Sequence, residues 1–264
     1  MPHRALLQTD HRDLPLPGRP WALSMRWEQL LFMHWPIDPE QMREAVPGDF
    51  DLDLYDGKAW IGVVPFQMAA TRPRLMPAIP RRLMPVSPSN FPELNVRTYV
   101  TVPTRRGPLP GVLFFSLDAA SGLAVRLARL GFNLPYFDAQ MKVQREPGDS
   151  GWIHYQSVRT HRGAPPARFA ASYRPAPGSN PTPGEPGSFD HFLTERYRLF
   201  TLGRRGRGAR FGEIAHKPWP LRKAECVVSE CEMTAACGFA LPDTEPVLHY
   251  VEEIEVAAWL LKRP

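Results

Sequence analysis

Residues 93–101, ELNVRTYVT, carry polar side chains at every second position. Because alternate residues of a β-strand point to the same side, Glu93, Asn95, Arg97 and Tyr99 would share one face. A carboxyl group can transfer protons, and a guanidinium can hold a carboxylate through two parallel hydrogen bonds. Glu93 and Arg97 would lie ~13 Å apart along the strand, too far to pair directly. The partner of Arg97 must therefore be another chain segment, water or a ligand carboxylate.

The neighbouring segment decides whether this polar face is enclosed. Residues 112–118, VLFFSLD, are apolar on both faces, which is typical of a strand that is covered on both sides. If this strand pairs with residues 93–101, the polar face is also enclosed and forms a polar wall inside an apolar cavity. The alternative is an outer face on which Arg97 is solvated.

Two further side chains could take part in such a site. His34 follows Leu30 and Phe32 at strand spacing, so it is either a hydrogen-bonded core histidine or a cavity-lining acid or base. Ser116 lies within a strand and lacks the G-x-S-x-G turn of an esterase, so it is interpreted as a structural or passive cavity hydroxyl.

Metal and cofactor chemistry receives no support from the spacing of residues. No two histidines are two or four residues apart, and no glycine-rich phosphate loop is present. We therefore predict no metal and no cofactor. Cys226, Cys231 and Cys237 match no zinc or disulfide spacing, which favours reduced thiols in a cytoplasmic protein.

The elements that must position these residues are mostly strands joined in hairpins. An Asp56-Gly57 turn is the sharpest hairpin signal, and residues 93–102 and 111–118 are predicted to form an antiparallel pair. Short helices are predicted at residues 38–46, 121–131 and 189–200, with Gly131 as the C-cap of the second. That helix places Leu123, Leu127 and Leu130 on one apolar face, opposite the two arginines Arg126 and Arg129. The fold class is α+β: a large antiparallel curved sheet or barrel with a few peripheral helices.

Length and composition set the remaining limits. The chain has 264 residues, a formal net charge of +5 and 31 prolines. Residues 1–20 have no secretory signal pattern and are predicted to be a poorly ordered arm, followed by a single domain over residues 21–264. No apolar run is long enough for a membrane span, so no membrane partner is predicted. A proline-rich loop is predicted at residues 72–92 and a flexible basic Gly/Arg loop at 203–210, and no oligomeric state is predicted.

Several motifs together resemble one family. They are YDGKAWIGVVPF-x-M, FPELNVRTYV, FFSLDA, LPYFDAQM, FLTERY-x-L and HKPWPL, in this order over residues 21–235. The chain resembles the YqjF-like group of uncharacterised bacterial proteins in the acetoacetate-decarboxylase-like superfamily. The resemblance implies a cone-shaped antiparallel β-barrel with an apolar central cavity.

The resemblance also identifies a missing nucleophile. The decarboxylase uses a lysine that forms a Schiff base with a keto acid. Its pocket also holds a glutamate, which Glu93 resembles. Where the lysine pair is expected, after Pro135, this chain has Tyr136 and Phe137, and the nearest lysine is Lys142. A phenol cannot form an iminium with a ketone.

Three functional hypotheses follow. In the first, the protein binds a small carboxylate or carbonyl compound in an enclosed apolar cavity, with Arg97 as the anchor. In the second, it is an enzyme that uses Glu93 as acid or base, with Arg97 and Tyr136 orienting the substrate and without a Schiff base. In the third, the Gly/Arg loop binds nucleic acid, which a single short basic run supports only weakly.

Overall fold

The computed structural model describes residues 3–105, 107–148, 150–203, 206 and 208–264. Within these residues the chain forms three α-helices and a set of twelve strands. The strands are β1 (Leu23–Ile37), β2 (Asp51–Leu52), β3 (Ala59–Pro73), β4 (Phe91–Thr104), β5 (Gly107–Ala119), β6 (Tyr136–Arg145), β7 (Ile153–Arg159), β8 (Arg168–Pro175), β9 (Arg198–Leu202), β10 (Ala209–Ala215), β11 (Arg222–Cys231) and β12 (Val247–Ala258). The helices are α1 (Pro39–Ala45), α2 (Gly122–Phe132) and α3 (Phe189–Thr194).

Nine of the strands close into a ring through backbone hydrogen bonds. The order is β5, β6, β7, β8, β11, β12, β1, β3 and β4, after which β4 pairs with β5. This confirms the predicted α+β class with a large curved sheet, and β4 and β5 form the predicted antiparallel hairpin. Two pairings, β5 with β6 and β5 with β9, are parallel, which the antiparallel prediction did not include. For β6 the reason is α2, because a helical crossover lets the next strand run in the same direction.

Strand β4 lies between two apolar layers. Every residue from Phe91 to Val100 is buried. Leu94 and Val96 pack in one core cluster, and the opposite side of the sheet borders a second cluster that includes Phe66 and Leu117. The polar side chains of β4 are therefore held within the protein, as the apolar pattern of the neighbouring strand predicts.

The helices differ from the sequence predictions in three respects. Helix α3 begins after the Ser188 cap as predicted but ends at Thr194, because residues 198–202 pair with β10 as a strand instead of continuing the helix. Helix α2 ends at Phe132, and its C-cap is Asn133 in a left-handed conformation, so the predicted Gly131 cap is wrong. The leucine face of α2 is exposed, and Val125 is the residue of this helix that is buried.

The turn at Asp56-Gly57 forms as predicted, but it does not join two long strands. Both residues have positive φ and connect Tyr55 with Lys58 in an isolated bridge. The preceding strand β2 pairs with β4 rather than with β3. The turn therefore closes a short loop at the edge of the sheet.

The N-terminal residues, which the sequence predicts as a poorly ordered arm, lie along the sheet. Ala5 is buried, and Arg12 donates a hydrogen bond of 2.6 Å to the carbonyl of Ile214. Asp13 accepts from Arg198 at 2.6 Å. These contacts come from isolated residues of the arm, which carries no periodic pattern that could predict them.

Three remaining sequence features are placed as follows. The three cysteines are free thiols. The predicted Gly/Arg loop contains Arg204, Arg205 and Arg207, which lie outside the described residues. None of the helices in the described ranges is long and apolar enough to cross a membrane.

Candidate functional site

A cavity of about 560 Å³ is lined mainly by residues of β1, β3, β4, β5 and β9, of α2 and of the loop between β3 and β4. Its wall is mostly apolar and aromatic, with contributions from Trp27, Phe32, Phe66 and Trp219. The polar side chains that reach it include three from the polar face of β4, which are Glu93, Asn95 and Arg97. Tyr136, Arg196 and Arg198 also reach it. An apolar cavity of this size with a few convergent polar groups is typical of a small-molecule site.

Alternation along β4 places Glu93, Asn95 and Arg97 in one row on the cavity wall. Phe91, at the start of the strand, also lines the cavity. At about 3.4 Å per residue, Arg97 lies about 20 Å along the strand from Phe91. Tyr99 continues the row but is not part of the lining; it is buried behind Arg97.

Glu93 is a buried carboxyl group with a single side-chain partner. The hydroxyl of Tyr136 donates to its Oε2 at 3.0 Å, and the hydroxyl of Tyr155 fixes the backbone by donating to the Glu93 carbonyl at 2.8 Å. Burial raises the pKa of Glu93 from 4.5 to about 8, and the Tyr136 hydrogen bond opposes this only in part. The carboxyl group is therefore mostly protonated at neutral pH. The pKa of Tyr136 is also raised, chiefly by burial and then by Glu93.

Arg97 is a buried guanidinium without a carboxylate partner. Its Nη2 donates to the Leu193 carbonyl at 3.2 Å and lies 3.5 Å from the Tyr99 hydroxyl. The group stacks over the Phe32 ring, with its central carbon 5.0 Å from the ring centre. Its Nε has no hydrogen-bond partner, and no ion pair involves Arg97 in the part of the chain that the structure describes.

The other deep arginines of the cavity have carboxylate partners, whereas Arg97 has none within the described residues. Arg196 is paired with Asp53, and Arg198 is paired with Asp13. Leaving a buried charge uncompensated is costly, by several kcal/mol as an order of magnitude. Arg97 is therefore the deep cationic group with capacity for an anion from outside the chain.

His34 lies behind the cavity wall rather than in it. The Tyr99 hydroxyl donates to the Leu193 carbonyl at 2.6 Å, so at its 2.6 Å contact with His34 it must accept from the histidine Nε2. Burial, then Arg97, then His249 lower the pKa of His34 well below its ordinary value. A neutral His34 thus fixes Tyr99 and supports Arg97. Gly62 makes room for it, since a Cβ there would lie 3.0 Å from the imidazole ring.

Asn95 and Ser116 have contrasting positions. Asn95 lines the cavity, and its Oδ1 is buried without a partner. Ser116 is absent from the lining and lies next to Cys237, whose Sγ is 3.8 Å from the serine Oγ. Of the seven predicted site residues, the structure brings Glu93, Asn95, Arg97 and Tyr136 together on the wall. Tyr99 and His34 lie behind them, and Ser116 is elsewhere.

Sequence reasoning missed polar groups from segments that are distant along the chain. The indole nitrogens of Trp27 and Trp219 are buried without partners, and both rings line the cavity. Thr194 and Arg196 also reach it, from the end of α3. Trp27 shares a strand with His34, but nothing local in the sequence indicates that Trp219 or Thr194 faces the same space.

The lysines of the chain all lie outside the cavity. The five lysines are Lys58, Lys142, Lys217, Lys223 and Lys262, all within the described residues, and none is buried or lines the cavity. Tyr136 occupies the first position after Pro135 and faces the cavity. Phe137 lies under the guanidinium of Arg159, 4.4 Å from the ring centre.

A metal site is not evident. Within the described ranges, no group of three or more histidine, cysteine, aspartate or glutamate side chains is arranged to hold a metal ion.

Comparison with known proteins identifies relatives over almost the whole chain. The model of the DUF2071 family, described as an uncharacterized conserved protein, matches residues 24–255. The uncharacterized protein YqjF of Bacillus subtilis (strain 168) is 41% identical over 252 residues, which cover 96% of each chain.

Two solved structures, of the enzyme MppR and of an acetoacetate decarboxylase, are similar in fold over most of the chain. The enduracididine biosynthesis enzyme MppR, complexed with pyruvate, has a TM-score of 0.58 at 12% identity, with 96% of this chain and 92% of that chain covered. Acetoacetate decarboxylase from Legionella pneumophila has a TM-score of 0.57 at 11% identity, with 95% and 92% covered. At these identities the similarity shows the fold alone.

Proposed function

The chain belongs to the DUF2071 family of uncharacterized conserved proteins, and we propose that it binds a small, mainly apolar carboxylate or carbonyl compound in the cavity that β4 lines with Glu93, Asn95 and Arg97. The observation that carries this proposal is Arg97. Its guanidinium is buried in the cavity wall, has an unpaired Nε and lacks the carboxylate partner that the neighbouring arginines have. A ligand carboxylate would supply the missing charge through a strong, charge-assisted contact.

The other unpaired atoms of the wall support a ligand with both polar and apolar parts. Asn95 presents an acceptor, and Trp27 and Trp219 present donors, each buried without a partner. Buried polar atoms are nearly always hydrogen-bonded in folded proteins. The apolar remainder of the wall would hold a hydrocarbon portion of the ligand.

Schiff-base chemistry is not part of the proposal. An iminium requires an amine, and the residue that faces the cavity after Pro135 is a tyrosine. Lys142, the nearest lysine along the chain, is exposed on β6. Pyruvate bound by MppR is a property of that protein and suggests only the chemical class of ligands to be screened.

Replacement of Arg97 tests the proposal. Native mass spectrometry of freshly purified protein would detect a co-purifying ligand, and straight-chain monocarboxylates from butanoate to decanoate, with pyruvate, would be titrated by calorimetry. Trp27 and Trp219 give a fluorescence readout from within the cavity. Arg97→Met should weaken binding of the best carboxylate by about tenfold or more, because a charge-assisted contact is lost.

The matched control is Arg145→Met, which removes an exposed arginine paired with Glu252. This variant should bind as the wild type does. Equal affinity of Arg97→Met and the wild type would refute the assignment of Arg97 as the anchor.

A second candidate function is catalysis with Glu93 as acid or base. The observation that favours it is the pKa of about 8, which lies near the working pH of a general acid or base. Incubation with keto acids and esters would reveal turnover. Turnover that Glu93→Gln abolishes while carboxylate binding persists would support the enzyme, whereas binding without turnover supports the first candidate.

A further inference from the structure

The mouth of the cavity is formed by two segments that we call the apolar rim: loop 74–90, between β3 and β4, and helix α2. Met76 and Ile79 of the loop and Leu127 of α2 line the cavity and are also exposed to solvent. Side chains that are both in the wall and on the surface mark an opening. The cavity therefore opens between the loop and the helix.

The rim carries a concentration of exposed apolar side chains. Nine of the sixteen exposed large apolar side chains of the described chain belong to it: Leu75, Met76, Ile79, Leu83, Met84, Val86, Leu123, Leu127 and Leu130. Leu75, Leu83 and Leu130 are the most exposed of all, at 93%, 72% and 73%. Soluble proteins rarely expose clustered apolar residues without an interaction that covers them.

The charges of the rim have one sign. Loop 74–90 contains three arginines and helix α2 contains two, and neither segment contains an aspartate or glutamate. Arg81 and Arg126 are paired with Glu28 and Asp138 from outside the rim. Arg74 and Arg82 are exposed, and neither is in an ion pair within the described residues.

We propose that the apolar rim docks on the surface of an anionic lipid bilayer. Arginines interspersed with exposed leucine and methionine are the composition by which peripheral proteins bind anionic membranes. A second copy of the chain is disfavoured as the covering partner, because a symmetric contact would bring the same arginines face to face without compensating carboxylates. This proposal departs from the sequence-based expectation of no membrane partner, which rested on the lack of an apolar run long enough to span a membrane.

Hydrogen bonds within loop 74–90 hold both its base and its tip. Its base is fixed by Asn90, which donates to the Ile79 carbonyl at 2.6 Å, and by Ser89, which accepts from the Ile79 amide at 3.1 Å. At the tip of the loop, the backbone amides of Leu83 and Met84 donate hydrogen bonds to the carbonyl of Pro80. The tip thus presents its apolar side chains outward from an anchored base.

Docking would place the cavity mouth at the hydrocarbon boundary of the bilayer. This consequence rests on the proposed function: an apolar carboxylate that partitions into membranes could enter between loop and helix and reach Arg97, about 20 Å along β4. The protonated Glu93 on the way would not repel it at neutral pH. The ligand class would then be membrane-partitioning carboxylates rather than short, fully soluble keto acids.

Vesicle flotation tests the docking surface without any cavity ligand. The full chain would be floated with vesicles of phosphatidylcholine alone and of phosphatidylcholine mixed with phosphatidylglycerol. We expect flotation with the anionic vesicles, reduced by added salt. Leu75→Ser combined with Leu83→Ser should reduce the bound fraction by about tenfold or more, and so should Arg74→Gln combined with Arg82→Gln.

The matched control is Val158→Ser combined with Val227→Ser, which changes two exposed apolar residues on β7 and β11, strands that contribute no residue to the cavity wall. This control should float as the wild type does. Absence of wild-type flotation, or flotation that the rim variants leave unchanged, overturns the proposal. A dimer that the leucine variants dissociate, without vesicle binding, would overturn it in favour of a second copy.

Vesicle flotation and ligand calorimetry distinguish a failure of membrane docking from a failure of ligand binding in the cavity. Arg97→Met lies deep in the cavity and should leave vesicle flotation unchanged. Conversely, the rim variants should retain calorimetric binding of soluble monocarboxylates if the cavity functions as proposed.

Discussion

Replacing Glu93 by glutamine should change how the stability of the protein depends on pH. In the folded state burial raises the pKa of this carboxyl group from 4.5 to about 8. The unfolded chain releases the proton near 4.5, whereas the folded chain keeps it until about pH 8. Between these values the folded state binds more protons than the unfolded state, so this group lowers stability as pH rises and contributes no further change above about pH 8.

The magnitude follows from the size of the pKa shift. At 1.36 kcal/mol per pH unit, the shift corresponds to roughly 5 kcal/mol between about pH 4.5 and pH 8. Glutamine cannot ionise, but its amide oxygen can still accept the hydrogen bond from Tyr136. The variant should therefore resemble the wild type in stability near pH 5 and exceed it by up to about 5 kcal/mol near pH 9.

Urea unfolding of both proteins at a series of pH values would measure this difference. Subtracting the two curves removes the contribution of every other titrating group that the variants share. Glu185→Gln is the control, because Glu185 is exposed in the loop before α3. Wild-type and Glu93→Gln stabilities that run parallel across this pH range would show that the carboxyl group is not held in its protonated form.

The same titration predicts a functional effect. Above about pH 8 the wild-type cavity gains a negative charge at Glu93, which repels an anionic ligand at Arg97. Carboxylate affinity of the wild type should therefore decrease between pH 7 and pH 9, whereas that of Glu93→Gln should not.

Further predictions concern chemistry and packing. Borohydride reduction in the presence of acetoacetate should leave no adduct on the protein, and an adduct at Lys142 on mass spectrometry would restore decarboxylase-like chemistry. Asp118→Asn should lower the free energy of unfolding by about 3–5 kcal/mol, because it leaves the buried guanidinium of Arg159 without a compensating charge. Breaking the exposed Arg145–Glu252 ion pair should change the free energy of unfolding by less than about 1 kcal/mol. Gly131→Ala should stabilise α2 by up to about 1 kcal/mol, because a Cβ at this position meets no atom within 4 Å. Gly111→Ala should destabilise the fold, because its Cβ would lie 2.5 Å from the Phe200 ring. Equal thermal midpoints for the two alanine variants would contradict this packing argument.

The features that the sequence predicts well are those set by local chemistry. Period-two alternation defines β4 and the side of the strand on which Glu93, Asn95 and Arg97 lie. The helix starts at Asp38 and Ser188 follow from side chains that accept hydrogen bonds from nearby amides. These features depend only on residues that are close together in the sequence, so contacts with distant segments do not change them.

The features that were predicted wrongly depend on distant segments. Residues 198–202 have a helical pattern, yet pairing with β10 and β5 makes them a strand. The sequence places three leucines on one apolar face of α2, but these leucines are exposed, and the helix instead buries Val125 in the second core cluster. Asp118 precedes α2 closely in the sequence, but it pairs with Arg159 from β7, and Ser121 caps the helix.

The chemistry available to the site is limited by one position on β6. Successive residues of a strand face opposite sides, so only one of Tyr136 and Phe137 can reach the cavity. That residue is Tyr136, and its hydroxyl already donates to Glu93. Phe137 lies on the other side, under the guanidinium of Arg159. The cavity therefore presents a protonated carboxyl group beside a phenol at one level and an unpaired guanidinium deeper along β4. These groups can hold an anion and move a proton, and none of them carries the primary amine that an imine requires. We therefore expect any turnover in this cavity to proceed without a covalent amine adduct.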